Sequence, residues 1–186
     1  MDSTLVSQAW KKAFPGAAPA GFLCRSAAAE RWLRIHSLPD SKRYPDSEGE
    51  KAEVLRRYNI AATEVLGDRA ACLLFITRFG ASRAWTRPTE GPLKGVQLVH
   101  VMTEGEGEDE IQIFAKEAIW QQGSFDTLLS AVAEDQTGPI LFFNPKRGTA
   151  FAPYDGGADL FLETAAAVKG AMQRHQHWLS ARPDRL

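Results

Sequence analysis

Residues 138–163 read GPILFFNPKRGTAFAPYDGGADLFLE, and this stretch decides the fold. Its apolar run, residues 140–143, is short and follows Pro139, which favours a buried strand over a helix. The next five residues, 144–148, combine a proline with a glycine and therefore predict a turn. The chain then returns as a second strand at residues 149–152. We expect these two paired strands at the centre of the molecule.

The second strand ends at a tight corner of sequence PYDGGAD, residues 153–159. Pro153 cannot donate a hydrogen bond to a neighbouring strand, so the strand ends there or lies at an edge. Gly156 and Gly157 allow a sharp turn, and we expect a positive φ at one of them. A third strand with two different faces follows at residues 159–163.

Two carboxylates flank the glycines of this corner, Asp155 and Asp159, with Tyr154 beside them. Such side chains commonly accept hydrogen bonds from backbone N–H groups of their own turn. We favour this capping role for Asp155 and leave the role of Asp159 open. The alternative is an acidic corner that binds a cation or a basic ligand.

The length and the net charge of the chain limit the number of domains and the classes of partner that we expect. A chain of 186 residues is expected to form one domain, residues 1–186, with a core large enough to need no disulfides. The formal net charge of -1 provides no strong attraction to nucleic acid or to an anionic membrane surface. We therefore expect neither a nucleic-acid partner nor a membrane partner.

The two cysteines, Cys24 and Cys72, are far apart and form no CxxC motif. Free thiols of this kind are typical of a reducing cytoplasm. The first residues, 1–12, do not resemble a signal segment, and no apolar run approaches the roughly 18 residues that span a bilayer. These observations predict a cytoplasmic protein.

The predicted order of elements is helix, strand, helix, strand, hairpin, helix, three strands, helix. The helices are expected to begin at Asp2 or Ser3, at Ser47, at Ser124 and near Thr164. A long apolar strand is expected at residues 70–79, then a hairpin of residues 96–102 and 111–115 with an acidic tip.

This order predicts the fold class. Strands follow one another more often than they alternate with helices, which favours an α+β fold. We expect a largely antiparallel central sheet of about six or seven strands, with helices packed mainly on one face. A doubly wound parallel sheet is the alternative, but the sequence has no glycine-rich loop between a strand and a helix to support it.

Candidate binding residues lie on the first predicted strand, residues 31–36. Leu33 and Ile35 point to one face, whereas Trp32, Arg34 and His36 share the other. Neighbouring arginines lower the pKa of a histidine, so His36 is expected to be neutral at pH 7. An ordinary solvated sheet face is the alternative interpretation.

The loop that follows, SLPDSKRYPD, adds Lys42, Arg43 and Tyr44 to the candidates. Lysine and arginine side chains could hold a phosphate or a carboxylate, although loop charges are usually only solvated. A second loop, residues 80–95, contains Arg83 and Trp85, and loops of that length are often functional or mobile.

Recognised catalytic and metal-binding motifs are absent from the sequence, including GxGxxG, the Walker loop, HExxH and GxSxG. His175 and His177 are two residues apart on a predicted helix, so they face different sides and cannot share a metal. His175 follows the apolar stripe, which favours a hydrogen-bonded core histidine. We therefore assign no catalytic residue, no metal site and no cofactor.

The corner Tyr154-Asp155-Gly156-Gly157-Ala158-Asp159, with a C-terminal helix ending in Trp-Leu, resembles an uncharacterised bacterial domain-of-unknown-function family with a Y-D-x-x-G/A-D corner. The Leu-Leu-Phe strand at residues 73–75 and the helix after Phe125 fit the same order. The resemblance covers about the last two-thirds of the chain. It implies a stand-alone cytoplasmic bacterial domain and no particular activity.

Two functions are consistent with these observations. The first is a non-enzymatic binding protein, for example of the immunity or inhibitor type, that recognises a protein or a small anionic ligand through exposed aromatics and arginines. Its candidate binding residues are Trp32, Arg34, His36, Lys42, Arg43, Tyr44, Tyr154, Asp155 and Asp159. The alternative is a hydrolase or transferase acting on an anionic substrate through His36, Arg34, Arg43 and Asp155.

Overall fold

A computed structural model describes residues 1–80 and 92–180. Most of the loop predicted at residues 80–95, including Arg83 and Trp85, lies outside these ranges.

A seven-stranded sheet forms the middle of the structure, and all of its neighbouring strands are antiparallel. The spatial order is β1-β7-β6-β5-β2-β4-β3. The strands are β1 (Trp32–His36), β2 (Ala70–Phe79), β3 (Val99–Glu104), β4 (Ile111–Trp120), β5 (Ile140–Asn144), β6 (Thr149–Tyr154) and β7 (Gly157–Phe161). The α+β fold and the antiparallel sheet are confirmed, and the doubly wound parallel alternative is wrong.

Five α-helices accompany the sheet in the described part of the chain. They are α1 (Ser3–Ala13), α2 (Gly21–Ala27), α3 (Glu48–Leu66), α4 (Asp126–Ala133) and α5 (Ala165–Arg174). Short 3₁₀ turns lie at Ala29–Arg31, Pro39–Ser41, Gly107–Asp109 and Gln176–Trp178.

Side-chain caps begin three of these helices, as the sequence predicts. Asp2, Ser47 and Thr164 each accept a hydrogen bond from a backbone N–H of the first turn. The cap expected at Ser124 is wrong, because α4 begins after Phe125 without a side-chain cap.

The strands β5, β6 and β7 confirm the hairpin, the corner and the third strand expected within residues 138–163. The expectation that the second strand ends at Pro153 or lies at an edge is wrong, because β6 continues to Tyr154 and lies between β5 and β7. The hairpin of β3 and β4 differs in its bounds. Its first strand begins at Val99, later than expected, and β4 continues to Trp120 as one strand. The helix α2 has no counterpart in the predicted order.

Hydrophobic cores lie on both faces of the sheet. On one face, Leu74 and Ile76 of β2 belong to a core that includes residues of α3, α4 and α5. On the other face, Leu73 and Phe75 pack with Trp10, and this core includes residues of α1 and α2. The helices of the first face are the larger group, and α1 and α2 cover part of the second face.

Two further expectations are confirmed by the structure. His175 is buried, hydrogen-bonded to Glu64 and stacked on Trp178, as a core histidine should be. Cys24 and Cys72 are buried free thiols. Burial raises the pKa of Cys24 to about 12 and that of Cys72 to about 11, so both thiols stay protonated at neutral pH.

No helix within the described ranges has the length and apolar character to cross a membrane.

Candidate functional site

A buried carboxylate lies at the centre of the candidate site. Asp159 on β7 is 1% exposed and lies directly opposite Arg34 in the pairing of β7 with β1. Arg34 donates from Nε to Oδ1 at 2.9 Å and from Nη2 to Oδ2 at 3.2 Å. Trp32, on the same face of β1, donates from Nε1 to Oδ1 at 2.9 Å. The cross-strand register therefore brings two of the predicted residues onto one carboxylate.

A fourth hydrogen bond to Asp159 comes from α2, where Nε of Arg25 donates to Oδ2 at 2.9 Å. The start of α2 can approach the sheet because Gly21 has no side chain. A Cβ atom on Gly21 would lie only 2.6 Å from the Cβ of Ala152 on β6. The position of Arg25 thus depends on a glycine in contact with β6.

The charges of this cluster do not cancel, because two guanidinium groups surround one carboxylate. Burial by itself would lower the pKa of Arg34, but the hydrogen bonds and charge of Asp159 outweigh it, so the pKa is raised. Arg34 therefore remains cationic. Its side chain is only 10% exposed, whereas that of Arg25 is 33% exposed, so the positive charge of Arg25 is the more accessible.

A second carboxylate, Asp155, lies in the turn between β6 and β7. It accepts hydrogen bonds from Nε of Arg43 at 2.7 Å and from the Tyr44 hydroxyl at 2.8 Å. The side chain of Arg43 is 64% exposed, so this pair lies at the surface edge of the site. Arg43 and Tyr44, two candidates from the basic loop (residues 37–46), therefore contact the glycine corner (residues 153–159).

The local geometry of the corner differs from the sequence-based expectation in two ways. The hydrogen bonds that Asp155 and Asp159 accept within the described residues come from side chains, so the capping role expected for Asp155 is wrong. Neither Gly156 nor Gly157 has a positive φ. Gly157 is required instead by close packing, since a Cβ atom there would meet the backbone oxygen of Ile35.

A cleft of about 470 Å³ opens beside these clusters. Its polar wall contains Arg25, Tyr154, Asp155 and Asp159. The remaining lining is mainly apolar and comes from α2, the end of β2, the end of α4, and the chain around β5 and β6. These residues include Phe22, Phe79, Val132, Pro139, Ile140, Ala152 and Pro153. The volume lies in the range of small-ligand sites, and the composition matches their usual mixture of apolar walls with a few polar groups.

Tyr154 connects the two charged clusters. Its ring lies under the guanidinium of Arg34, with 4.9 Å between Cζ and the ring centroid, and the residue also lines the cleft. Burial raises the pKa of Tyr154 to about 12, and the positive charge of Arg34 opposes this only in part. The phenol is therefore protonated at neutral pH and can donate a hydrogen bond.

Lys42 and His36, two of the predicted binding residues, are not among the residues that line the cleft. Lys42 binds Asp46 and Glu50 and so ties its loop to the start of α3. His36 lies at the end of β1 and is not among the residues that line the cleft. Burial, and secondly the charge of Arg34, lower the pKa of His36, which confirms the expected direction but with burial as the larger cause.

Of the residues that line the cleft, the sequence predicted only Tyr154, Asp155 and Asp159 as site residues, and Phe22, Arg25 and Phe79 are among those that it missed. Phe22 and Arg25 belong to α2, which was not predicted. Their spacing of three residues places them on one side of a helix, and this was the available signal. Within the described ranges, no group of three or more histidine, cysteine or acidic residues is placed to hold a metal ion.

Comparison with known protein families matches residues 20–183 to a domain of unknown function, DUF3885. The chain belongs to this family. The matched region contains β1, the basic loop and the glycine corner, and therefore every residue of the cleft, whereas α1 precedes it. Neither the curated proteins nor the solved structures contain a match to the chain.

Proposed function

We propose that this DUF3885 protein is a non-enzymatic binding protein that holds its ligand in the cleft between α2 and β6. The observation that carries the proposal is the cleft itself, in which an apolar lining meets a preformed polar wall. Arg34 and Asp159 hold each other in a bidentate pair, and Arg25 joins them. A wall that is ordered before the ligand arrives reduces the entropic cost of binding.

The same contacts favour binding over the hydrolase or transferase alternative. Arg34 and Arg43, which would hold an anionic substrate, already bind Asp159 and Asp155. His36, which would act as the base, has a buried Nε2 without a hydrogen bond and does not line the cleft. The proposed base therefore does not face a substrate bound there.

A protein partner would use the same region. Phe22 and Tyr44 are large side chains that remain 40% and 44% exposed near the cleft and near Asp155, respectively. Aromatic side chains and arginines are the residues that most often anchor protein interfaces. An immunity or inhibitor protein would place one side chain of its partner in the cleft and pack the partner's surface on these aromatics.

The proposal includes a bacterial source and a cytoplasmic location. The resemblance of the glycine corner supports the first, and the two buried free thiols support the second. Fractionation of the native source, with detection of the protein in each fraction, tests the location.

Blocking the cleft tests the binding function. Thr137 lines the cleft and is half-buried, so Thr137→Trp should fill part of the space, whereas Lys169→Trp on the exposed side of α5 is the matched control. Thermal shift is measured for both variants and wild type against amino acids, alkyl carboxylates, amines, sugars and nucleotides.

We expect at least one compound to raise the melting temperature of wild type and of Lys169→Trp but not of Thr137→Trp. The compound should be recovered unchanged after incubation. The proposal fails if no compound distinguishes the two variants, or if the bound compound is chemically converted by wild type.

A further inference from the structure

We propose that the cleft selects a ligand with a single carboxylate attached to an apolar body. This inference rests on the binding function proposed above and assigns the chemistry of its ligand. Four features of the cleft carry it: an incompletely used guanidinium, an uncommitted hydroxyl, an apolar lining, and acidic residues that oppose any further negative charge.

The guanidinium of Arg25 provides the anchor. Its Nε binds Asp159, and this is the hydrogen bond that Arg25 makes within the described residues, so its Nη atoms remain for a ligand. Asp159 is shared with Arg34, and the cluster keeps one positive charge in excess. A guanidinium in a partly apolar site binds a planar carboxylate through paired, charge-assisted hydrogen bonds.

The hydroxyl of Tyr154 provides a second donor on the same wall. It makes no hydrogen bond to the described residues, and it lies beside the start of β7, 2.9 Å from where a Cβ atom of Gly157 would be. Because the ring is held beneath Arg34, the hydroxyl is positioned before a ligand binds. Arg25 and Tyr154 line the same cleft and the charge of Arg25 acts on the phenol of Tyr154, so we expect one carboxylate to accept hydrogen bonds from both.

The rest of the cleft suits an apolar body. Phe22 and Phe79 place their ring centroids 6.0 Å apart, and both line the space together with Ile140 and Pro153. Burying an apolar chain against these side chains contributes binding free energy in proportion to the apolar area removed from water. A free inorganic anion would gain none of this contribution.

Two acidic residues limit the ligand to one negative charge. Asp135 is exposed at the cleft, and Asp155 is also part of its lining, although Arg43 balances the charge of Asp155. A phosphate that carries two charges would be repelled chiefly by Asp135, while the cluster around Arg25 has only one charge to offer it. The same surplus positive charge disfavours an amine in the position of the carboxylate.

Four eight-carbon probes test the inference on the full chain: octanoate, octylamine, octanol and octyl phosphate. All four chains have eight carbon atoms, one of which is the carboxylate carbon in octanoate, so calorimetric titration compares mainly the head groups. We expect octanoate to bind most tightly, octyl phosphate more weakly, and the amine and the alcohol weakest. Equal affinity for octylamine and octanoate would overturn the inference.

Two variants of the cleft then test whether the carboxylate of octanoate binds at Arg25 and Tyr154. Arg25→Gln should weaken octanoate binding by about tenfold or more, the equivalent of one charge-assisted hydrogen bond. Lys169→Gln removes one positive charge from an exposed position on α5 and should leave the affinity unchanged. Tyr154→Phe keeps the ring beneath Arg34 and should weaken octanoate but not octanol, which provides a second test if Arg25→Gln folds poorly.

The results separate this inference from the binding function. If another compound binds wild type but not Thr137→Trp, while octanoate does not bind, the carboxylate inference is wrong and the binding function stands. If no compound distinguishes Thr137→Trp from its control, both are wrong. An octanoate affinity that is identical in wild type, Arg25→Gln and Tyr154→Phe also overturns the carboxylate inference.

Discussion

Gly157 lies so close to Ile35 that a Cβ atom added to the glycine would be 2.0 Å from the backbone oxygen of Ile35. No ordinary contact allows this distance, and the obstacle is backbone, which cannot rotate away as a side chain can. Gly157→Ala should therefore push β1 away from β7 and destabilise the fold by about 1–3 kcal/mol or more.

Urea unfolding of Gly157→Ala and wild type measures the effect. Gly49→Ala is the matched control, because Gly49 lies in α3 and a Cβ atom there would approach nothing closer than 3.9 Å. That change should stabilise the protein by about 0.5–1 kcal/mol, since alanine favours the helix. A Gly157→Ala protein as stable as wild type would contradict the observed packing.

The two carboxylates of the corner should differ in their contribution to stability. Asp159→Ala leaves Arg34 nearly buried without its partner, and loss of one member of a buried pair costs about 3–5 kcal/mol. Asp155→Ala frees Arg43 into water, so the loss should be about 1 kcal/mol or less. The same urea experiments measure both values. Equal losses in the free energy of unfolding would show that the deeper burial of the Arg34–Asp159 pair does not increase its contribution to stability.

His36 should make stability depend on pH. Its folded-state pKa is below the ordinary 6.5, chiefly through burial, so the unfolded chain takes up its proton first as the pH falls. The free energy of unfolding should therefore decrease as the pH falls below about 6.5, and His36→Phe should remove this component. The exposed His177→Phe is the control. Parallel pH profiles for His36→Phe and wild type would count against the lowered pKa.

The buried strand β5 should be sensitive to truncation. Phe142 is fully buried, with its ring centroid 4.9 Å from that of Phe125 and 5.2 Å from that of Trp120. Phe142→Ala should cost about 3–5 kcal/mol, because it removes apolar contacts and leaves a cavity. Ile119→Ala, at a position 64% exposed on β4, should change stability by less than about 0.5 kcal/mol. Similar losses for the two variants would place β5 outside the core.

The sheet could be predicted from sequence because its signals are local. The apolar run at β5 and the turn with Gly148 each act through neighbouring residues. The caps Ser47 and Thr164 are equally local. Alternation along β1 correctly placed Leu33 and Ile35 in the core, since a strand has a period of two.

The site could be predicted only in part because its contacts are distant in sequence. The partners of Asp159 lie 125 or more residues away, and no local pattern indicates which side chains a folded sheet will bring together. The helix α2 begins at Gly21 after an alanine that provides no side-chain cap, so the usual start signal is missing and Arg25 was overlooked. The positive φ expected in the corner is wrong. Glycine is needed at position 157 because the backbone of β1 lies too close for a Cβ atom.

The distance in sequence between Asp159 and its partners also affects synthesis of the protein. A ribosome completes Arg25 134 residues before Asp159, an interval of roughly 7–27 seconds at about 5–20 residues per second. Throughout that interval β1 has no neighbouring strand, because β7 is its sole partner among the strands of the described ranges. The growing chain must therefore carry β1 without a partner strand until nearly all of the protein has been made, and a chain that stops before β7 can form neither this edge of the sheet nor the complete cleft.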